Sequence, residues 1–374
     1  MPARARNSAV EPVELQRRAF ACLEGILGRL SAQKPIVVYI DDLQWSDLDS
    51  TALLAALLHG HERVPLLLVV AFRAEDAEAS PVLRAFSTAL DALSGRVEQR
   101  RVEVGALDDH EAEALSRALL VADDRSGEVF AERTVQALVA EARGDPFLLG
   151  ELLRSEPGAP GPSETFDSRG DTGGSAVPTL GALLAARIAR LPASARRLLE
   201  VVALGGQPIA REIAAEVAHG GEGASASLAA VSLLRTRRLL RTRRVEGGEE
   251  ILPYHDRVRE AVSRGLDAET ARGHHHRLAL ALEASGAAEP ERLLFHFRSA
   301  GRLVDAARHA ASAARRAHEA LAFDRAARLY REALALGAEE RSLPHGLAEA
   351  LAGAGRPREA AHAFIDAARV AAHS

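Results

Sequence analysis

A short apolar run that ends in two aspartates constrains the fold of this chain more than any other feature. Residues 36–40 read Ile-Val-Val-Tyr-Ile and follow Pro35, which predicts a strand buried on both faces of a parallel sheet. Asp41 and Asp42 would then lie at the carboxyl edge of this strand, where open α/β sheets bind ligands. Carboxylate oxygens at such an edge can hold Mg²⁺ or orient a water molecule, as phosphoryl transfer requires.

The residues after the aspartates make the pattern more specific. Residues 35–47 read Pro-Ile-Val-Val-Tyr-Ile-Asp-Asp-Leu-Gln-Trp-Ser-Asp. This stretch resembles the Walker B segment of the STAND regulators, the signal-transduction branch of AAA-type P-loop ATPases. The resemblance implies ATP and Mg²⁺ as cofactors, with Asp41 serving the metal and Asp42 polarising the attacking water. The alternative interpretation is a strand that ends in a solvated acidic turn.

Further strands are predicted downstream. The Ala- and Leu-rich residues 48–58 predict a helix, and the apolar run at residues 66–72 predicts a second strand, so the two strands would be joined by a parallel crossover. Residues 69–75 resemble the sensor 1 strand of the same family, which implies that Arg73 approaches the γ-phosphate. A surface arginine without that role is the alternative. Residues 97–104 predict a third strand of the sheet, followed by a helix that begins with Asp108 and Glu111 as a capping box.

The sequence contains no Gly-x-x-x-x-Gly-Lys-Ser/Thr loop, in which backbone N–H groups and a lysine hold the phosphates. The one lysine, Lys34, has neither a glycine loop before it nor a hydroxyl residue after it. In the resembled family this loop precedes Walker B. We therefore expect an amino-terminally truncated chain that is inactive alone. A late-start gene model, a natural fragment and a degenerate paralogue all remain open.

The sequence Arg-Gly-Asp-Pro-Phe-Leu-Leu at residues 143–149 resembles the end of the ATPase helical subdomain. Gly144 would end one helix and Pro146 would begin the next, which is a sufficient structural explanation. The resemblance also implies that Gly144 and Pro146 contact the nucleotide, although Asp145 replaces the family's asparagine. Residues 155–178 are rich in Pro, Gly, Ser, Asp and Thr, which predicts a flexible linker.

After this linker, helices are predicted at residues 179–191, 194–204, 209–217 and 227–236. Two extended segments around Glu-Gly-Gly-Glu at residues 246–249 follow them and predict a β-hairpin. The order resembles the winged-helix domain of the same family. Its arginines could bind DNA phosphates or belong to an intramolecular regulatory wing, and the second is favoured because no amide or aromatic side chains are placed for base readout. The arginines concerned are Arg235, Arg237, Arg238, Arg241, Arg243 and Arg244.

Two features mark the carboxy-terminal third. Residues His274, His275 and His276 are consecutive and would point in different directions from a helix, which favours a helix-surface triplet over a metal site. The spacing Ala326-Tyr330-Ala333 recurs 34 residues later as Ala360-Phe364-Ala367, the period of tetratricopeptide (TPR) repeats. We expect these repeats to bind a protein partner through Tyr330 and Phe364.

The predicted fold class is α/β followed by mostly α. The predicted domains are an incomplete parallel-sheet P-loop ATPase module (1–154), the linker (155–178), a winged-helix domain (179–265) and TPR-like helical repeats (266–374). A formal net charge of −5, a single cysteine and no apolar run long enough to cross a bilayer favour a cytoplasmic protein without membrane or nucleic-acid partners.

The predicted function is the carboxy-terminal portion of a STAND-type ATP-binding regulator. In bacteria such modules commonly follow a serine/threonine kinase or precede a LuxR-type DNA-binding domain, so an upstream kinase or regulator domain is a second expected partner. One alternative is a non-catalytic TPR scaffold, and another is a DNA-binding regulator that uses the wing.

Overall fold

The computed structural model describes residues 12–59, 65–122, 132–154, 180–220, 224–246 and 248–372. The chain divides into two units, one formed by residues 1–100 with 285–374 and the other by residues 101–284. The first contains a small parallel sheet and the second an antiparallel one, and helices dominate both. This is compatible with the predicted class. The predicted linker at 155–178 lies outside the described residues, and the predicted domain boundaries stay predictions.

The first unit begins with alternating helices and strands. In order they are α1 (Pro12–Ser31), β1 (Ile36–Ile40), α2 (Leu48–His59), β2 (Leu66–Val70) and α3 (Pro81–Ala92). Strands β1 and β2 pair in parallel, from Ile36 opposite Leu66 to Ile40 opposite Val70, as the crossover prediction requires. Sequence analysis missed α3, whose start carries a recognisable signal: Ser80 accepts a hydrogen bond from the Leu83 amide and Pro81 occupies the first turn.

Only one face of this sheet is covered by described residues. Ile40, Leu68 and Val70 pack against a core formed by Leu43, Leu54, Val82, Leu83 and Phe86. On the opposite face Val37 and Tyr39 are 62% and 61% exposed. The prediction that β1 is buried on both faces is therefore wrong for the described structure, because helices α2 and α3 supply a covering layer for one face only.

The predicted third strand at residues 97–104 is also wrong. Apart from an isolated bridge between Ser94 and Val97, this stretch pairs with no strand in the described chain, and Val102 and Val104 are 82% and 94% exposed. The segment has β propensity but no neighbour, since β1 and β2 pair only with each other. Pairing, and not propensity alone, decides whether an extended segment becomes a strand.

The second unit starts with three helices: α4 (Asp109–Ala122), α5 (Glu132–Ala142) and α6 (Pro146–Arg154). The capping box is confirmed, because the Glu111 amide donates to Asp108 Oδ1 at 2.7 Å and the Asp108 amide donates to Glu111 Oε2 at 3.1 Å. Helices α5 and α6 end and begin where Gly144 and Pro146 predict. Apolar side chains from all three helices form one core, including Ala112, Val139, Ala142, Leu149, Leu152 and Leu153.

The remainder of the second unit surrounds a three-stranded sheet. Its elements are α7 (Leu180–Ala189), α8 (Ala193–Leu204), β3 (Ile209–Ala210), α9 (Arg211–His219), α10 (Ala224–Thr236), β4 (Leu240–Val245), β5 (Gly248–Pro253), α11 (Asp256–Gly265) and α12 (Ala268–Ser285). The strand order is β3-β5-β4, all antiparallel. The predicted hairpin is confirmed as β4 and β5. Residues 209–210 were predicted as helix but form β3, because they pair with Ile251 and Glu250.

Two contacts join α6 to the elements that follow residue 179. Glu151, whose side chain is 2% exposed, forms an ion pair with Arg187 of α7. The Phe147 ring stacks on His255 with centroids 4.3 Å apart, and Phe147 packs against the core of the three-stranded sheet and its helices. A buried carboxylate depends on its partner, since removal of one member leaves an uncompensated charge. The Arg-Gly-Asp-Pro-Phe-Leu-Leu segment is therefore a structural junction within this unit.

The first unit resumes with five helices: α13 (Pro290–Ser299), α14 (Leu303–Glu319), α15 (Phe323–Ala335), α16 (Leu343–Gly353) and α17 (Pro357–Ala372). Ion pairs Arg325–Glu291 and Arg298–Glu332 each join residues 34 apart, on α13 and α15. Tyr330 is 6% exposed and lies against Gly346, where a Cβ atom would collide with its ring. The expectation that Tyr330 binds a partner is therefore wrong, because its ring fills the α15–α16 core. Phe364 remains 38% exposed.

Among the described residues, no helix combines the length and apolar character needed to cross a membrane.

Candidate functional site

The predicted site lies at the carboxyl edge of β1 and β2, where the hydrogen-bond ladder continues past both strands. The Ala71 amide donates to the Ile40 carbonyl at 2.8 Å, and the Leu43 amide donates to the Ala71 carbonyl at 3.0 Å. These two bonds fix the chain leaving β1 against the chain leaving β2. As a result, Asp42 and Arg73 leave the same edge of the sheet side by side.

Asp42 adopts a left-handed backbone conformation, with φ 52° and ψ 46°. Aspartate tolerates this region better than most residues because its short polar side chain bonds locally. Its Oδ1 accepts a hydrogen bond from Gln44 Nε2 at 2.7 Å, and its amide donates to Asp41 Oδ1 at 3.0 Å. The turn is therefore held by the acidic side chains themselves, and it leads directly into a 3-10 turn at Leu43–Trp45.

Gln44 is a site residue that sequence analysis did not assign. Its side chain is 9% exposed, and its Nε2 orients the Asp42 carboxylate, while its Oε1 has no hydrogen-bond partner in the described part of the chain. Its position inside the Asp-Asp-Leu-Gln-Trp-Ser-Asp segment was a usable signal. Trp45, the next residue, is 74% exposed and is the sole tryptophan of the sequence, which makes it a local fluorescence reporter.

The charged side chains at this edge interact only weakly with one another and are accessible to a ligand. Arg73 Nε lies 4.0 Å from Asp42 Oδ1, and both side chains are about 40% exposed, so the attraction between them is weak. Partial desolvation raises the pKa of Tyr39, and the negative charges of Asp41 and Asp42 raise it further. The edge thus places two carboxylates beside one guanidinium, all of them within reach of solvent.

Gly144 and Pro146, the predicted nucleotide contacts, belong to the second unit, whereas Asp41, Asp42 and Arg73 belong to the first. Gly144 is buried with φ 75°, and a Cβ atom there would collide with the Leu107 carbonyl. Pro146 occupies the exposed start of α6. Asp145 caps α6 by accepting from the amides of Phe147 and Leu148, each at 2.9 Å. These roles are structural, and contact with a nucleotide stays a prediction.

The prediction of a surface histidine triplet is wrong. His274 and His275 are 2% and 8% exposed, because adjacent helical positions point in different directions and two of them face the protein interior. Arg277 donates to His274 Nδ1 at 3.0 Å, so the proton of the neutral ring is on Nε2, which donates to Glu200 at 3.2 Å. The described residues contain no group of three or more His, Cys, Asp or Glu side chains that could hold a metal.

The arginine cluster of β4 is partly neutralised by β5. Arg243 lies directly opposite Glu250 and bonds it at 2.7 Å, and Arg244 lies opposite Glu249. Arg211 also pairs with Glu249, at 3.1 Å. Acidic partners in register reduce the charge available to a phosphate backbone.

Part of the chain matches a known protein family. Residues 2–70 match the family model described as AAA ATPase domain. The matched stretch includes β1, β2, Asp41 and Asp42, and it ends before Arg73. This part of the chain is therefore similar to P-loop ATPases of the AAA type. Neither a curated protein nor a solved structure matches the chain.

Substitution of Asp42 tests the strained turn. Asp42→Ala loses both the tolerance for the left-handed region and the Gln44 hydrogen bond, and we expect it to lower the free energy of unfolding by about 2 kcal/mol. Asp42→Gly keeps the tolerance for the left-handed region but loses the Gln44 hydrogen bond, so its loss of stability should be about 1 kcal/mol. Asp42→Asn keeps both the tolerance and the hydrogen bond, so its loss should stay below about 0.5 kcal/mol. Urea unfolding of the full chain, followed at Trp45, measures them. Asp91→Ala, on the exposed side of α3, is the control. Equal losses for all three variants would contradict this account.

His274 predicts a pH-dependent stability. Burial lowers its pKa below the ordinary value of 6.5, against the opposing effect of the Glu200 hydrogen bond. The neutral ring is therefore favoured in the folded state, and its contribution is complete above pH 6.5 and is lost as the pH falls through the lowered pKa. We expect the thermal midpoint to fall less between pH 7.5 and pH 5.5 in His274→Gln than in the unsubstituted chain.

His276→Gln is the matched control for this measurement, because it changes the neighbouring and less buried ring of the same helix. It should keep the full pH dependence. The same pH dependence in all three proteins would show that His274 does not titrate in this range.

Proposed function

We propose that this chain acts in ATP-dependent signal transduction as a regulator of the STAND type. The observation that carries the proposal is the common edge of β1 and β2, which brings Asp42 and Arg73 to 4.0 Å directly beside Asp41. The match of residues 2–70 to the AAA ATPase domain supports it. In this proposal Asp41 serves Mg²⁺, Asp42 polarises the attacking water and Arg73 contacts the γ-phosphate.

The donor set of the edge fits Mg²⁺ held together with a nucleotide. Mg²⁺ in phosphate-transfer sites takes one or two carboxylates and completes its shell with water and phosphate oxygens. Asp41 is a hard oxygen donor of this kind, Asp42 beside it can orient a water molecule, and both carboxylates reach solvent. Two carboxylates are too few for a cage made of protein ligands alone. When bound, the metal would neutralise phosphate charge, and the chain would contribute the orientation of its carboxylates.

The sequence has no Gly-x-x-x-x-Gly-Lys loop, so we propose that this chain does not hydrolyse ATP by itself. A loop of that type supplies the backbone N–H groups and the lysine that hold the phosphates. Without them, the edge of β1 and β2 provides the metal and water side of a site but not its phosphate cradle. Contact of Gly144 and Pro146 with a nucleotide remains a separate proposal, which rests on the family resemblance of residues 143–149 alone.

The finer architecture belongs to the same proposal. Residues 179–265, with helices α7–α11 and the β3-β5-β4 sheet, are proposed to form the winged-helix domain, and residues 266–374, with helices α12–α17, the TPR-like repeats. The paired helices and the ion pairs between residues 34 apart support the repeats. A protein partner bound by the repeats, or an upstream kinase or regulator domain, would then receive or deliver the signal in a bacterial cytoplasm.

A second candidate function is a non-catalytic scaffold in which the repeats bind a partner and the ATPase part only supports the fold. Contacts of Asp47 and Asp49 with Arg325 of α15, within the first unit, favour it, because they give the β1–α2–β2 segment a structural role that needs no nucleotide. DNA binding through the wing is the weakest candidate, since Arg243 and Arg244 face glutamates on β5.

Calorimetry with the purified chain tests the proposal. We expect no ATP turnover, and Mg-ATP binding with a dissociation constant near the millimolar range, or about −4 kcal/mol, because the phosphate cradle is missing. This weak binding should be lost in Asp41→Ala and kept in the control Asp91→Ala. Binding in the micromolar range that disappears in Asp41→Ala would show a complete site and contradict the inactive assignment. Binding that is absent or indifferent to Asp41 would favour the scaffold.

A further inference from the structure

The start of α15 has no cap from its own neighbourhood. Its N-cap position is Ala322, which offers no side-chain acceptor. Instead, Asp49 of α2 accepts hydrogen bonds from the backbone amides of Arg325 at 2.9 Å and Asp324 at 3.5 Å. A carboxylate in this place satisfies orphan amides and interacts favourably with the helix dipole. An element near residue 50 thus supplies the N-cap of a helix near residue 324.

The turn before α15 is held from its other side by α1. Gln16 Nε2 donates to the Leu321 carbonyl at 2.8 Å. Leu321 has φ 61°, a left-handed conformation that costs a leucine of order 1 kcal/mol. The corresponding turn 34 residues later uses Gly355, with φ 70°, where this cost is absent. The α14–α15 turn is therefore strained, and contacts from α1 and α2 offset that strain.

Arg325 connects the α14–α15 turn to residues 41–47, the acidic segment that follows β1. Its Nη1 lies 3.8 Å from Asp47 Oδ2, and its Nε bonds Glu291 of α13 at 2.6 Å. Asp47 also accepts from the Ser50 amide at 2.7 Å, which caps α2. Burial raises the pKa of Asp49, and the nearby charges of Asp324 and Asp47 act in the same direction, so this carboxylate is held at the contact despite an unfavourable environment.

We propose that Asp47 and Asp49 form a latch that couples the α14–α15 turn to the acidic segment at the end of β1. Only the 3-10 turn Leu43–Trp45 and Ser46 separate Asp42 from Asp47. A displacement of α15, such as a protein ligand on the repeats would cause, moves the partners of Asp47 and Asp49 and is transmitted to Asp42. A coupling between two sites requires an element with two arrangements, and in this proposal the latch is that element, closed in the structure and opened when α15 is displaced.

The latch is a property of the chain without nucleotide. Its test therefore uses the full chain alone, and the result does not depend on whether ATP binds at Asp41 and Asp42. A failure of the proposed function would leave the latch intact, and a failure of the latch would leave the nucleotide proposal intact.

Two readouts test the latch, amide hydrogen exchange and the emission of Trp45. Asp49→Ala removes the carboxylate that caps α15 and should speed hydrogen exchange of the Arg325 amide about fivefold, the factor that corresponds to the typical stabilisation by one N-cap. Arg325→Glu should shift the Trp45 emission maximum and speed exchange at residues 42–47. Arg328→Glu is the matched control, since Arg328 lies on the same helix and pairs with Glu291 and Glu332 but not with Asp47.

Arg325→Gln keeps the test decisive if the charge reversal unfolds the repeats, and helical circular dichroism identifies that case. A shift of Trp45 emission in Arg325→Gln but not in Arg328→Glu supports the latch. Unchanged Trp45 emission and unchanged exchange at residues 42–47 in a folded Arg325 variant overturns it. Equal effects in the Arg325 and Arg328 variants also overturn it, because they would reflect general loss of charge on α15.

Discussion

Parallel pairing of β1 with β2 is the interaction on which the candidate site depends. Because the two strands pair in parallel and in register, Asp42 and Arg73 emerge at the same edge of the sheet. Two further backbone hydrogen bonds, from the Ala71 amide to Ile40 and from the Leu43 amide to Ala71, extend the pairing beyond both strands. The left-handed turn at Asp42 then follows from geometry, since the chain must leave the sheet and enter the 3-10 turn at once. Gln44 stabilises that turn by donating a hydrogen bond to the Asp42 carboxylate. The same hydrogen bond therefore stabilises the turn and orients the candidate site residue.

Features with local physical causes could be predicted from the sequence. The capping box at Asp108 and Glu111, the helix stop at Gly144 and the helix start at Pro146 are all decided within a few residues, and the structure places each of them as predicted. The hairpin around residues 246–249 belongs to the same group. The two strands and their crossover were predictable because a buried apolar run ending in aspartates has few other solutions. Asp41 and Asp42 were placed at the sheet edge for that reason, whereas Arg73 was assigned from the resemblance to the sensor 1 strand, and the roles of all three stay predictions.

The remainder depends on partners distant in sequence, which no local pattern reveals. Residues 97–104 have the composition of a strand, but no described strand pairs with them. His274 has a polar side chain, which predicted a surface position, yet its ring is buried with both nitrogens hydrogen-bonded, one to Glu200 and one to Arg277. The cap that Asp49 provides to α15 joins residues about 275 apart, and Ala322 gives no hint of it beyond the absence of a local cap. The 34-residue spacing predicted that Tyr330 binds a partner. Its burial follows instead from α16, where Gly346 has no side chain and leaves space for the Tyr330 ring.

The central claim is that metal-bound nucleotide meets this chain at the carboxyl edge of β1 and β2. Paramagnetic broadening by Mn-ATP, read on the backbone amide signals of the isotope-labelled full chain, measures this most directly because it detects weak binding and its location together. The account predicts selective broadening at residues 41–46 and at Arg73, abolished in an Asp41→Asn, Asp42→Asn double variant. Broadening centred on the arginines of β4, or spread evenly over the surface, would contradict it.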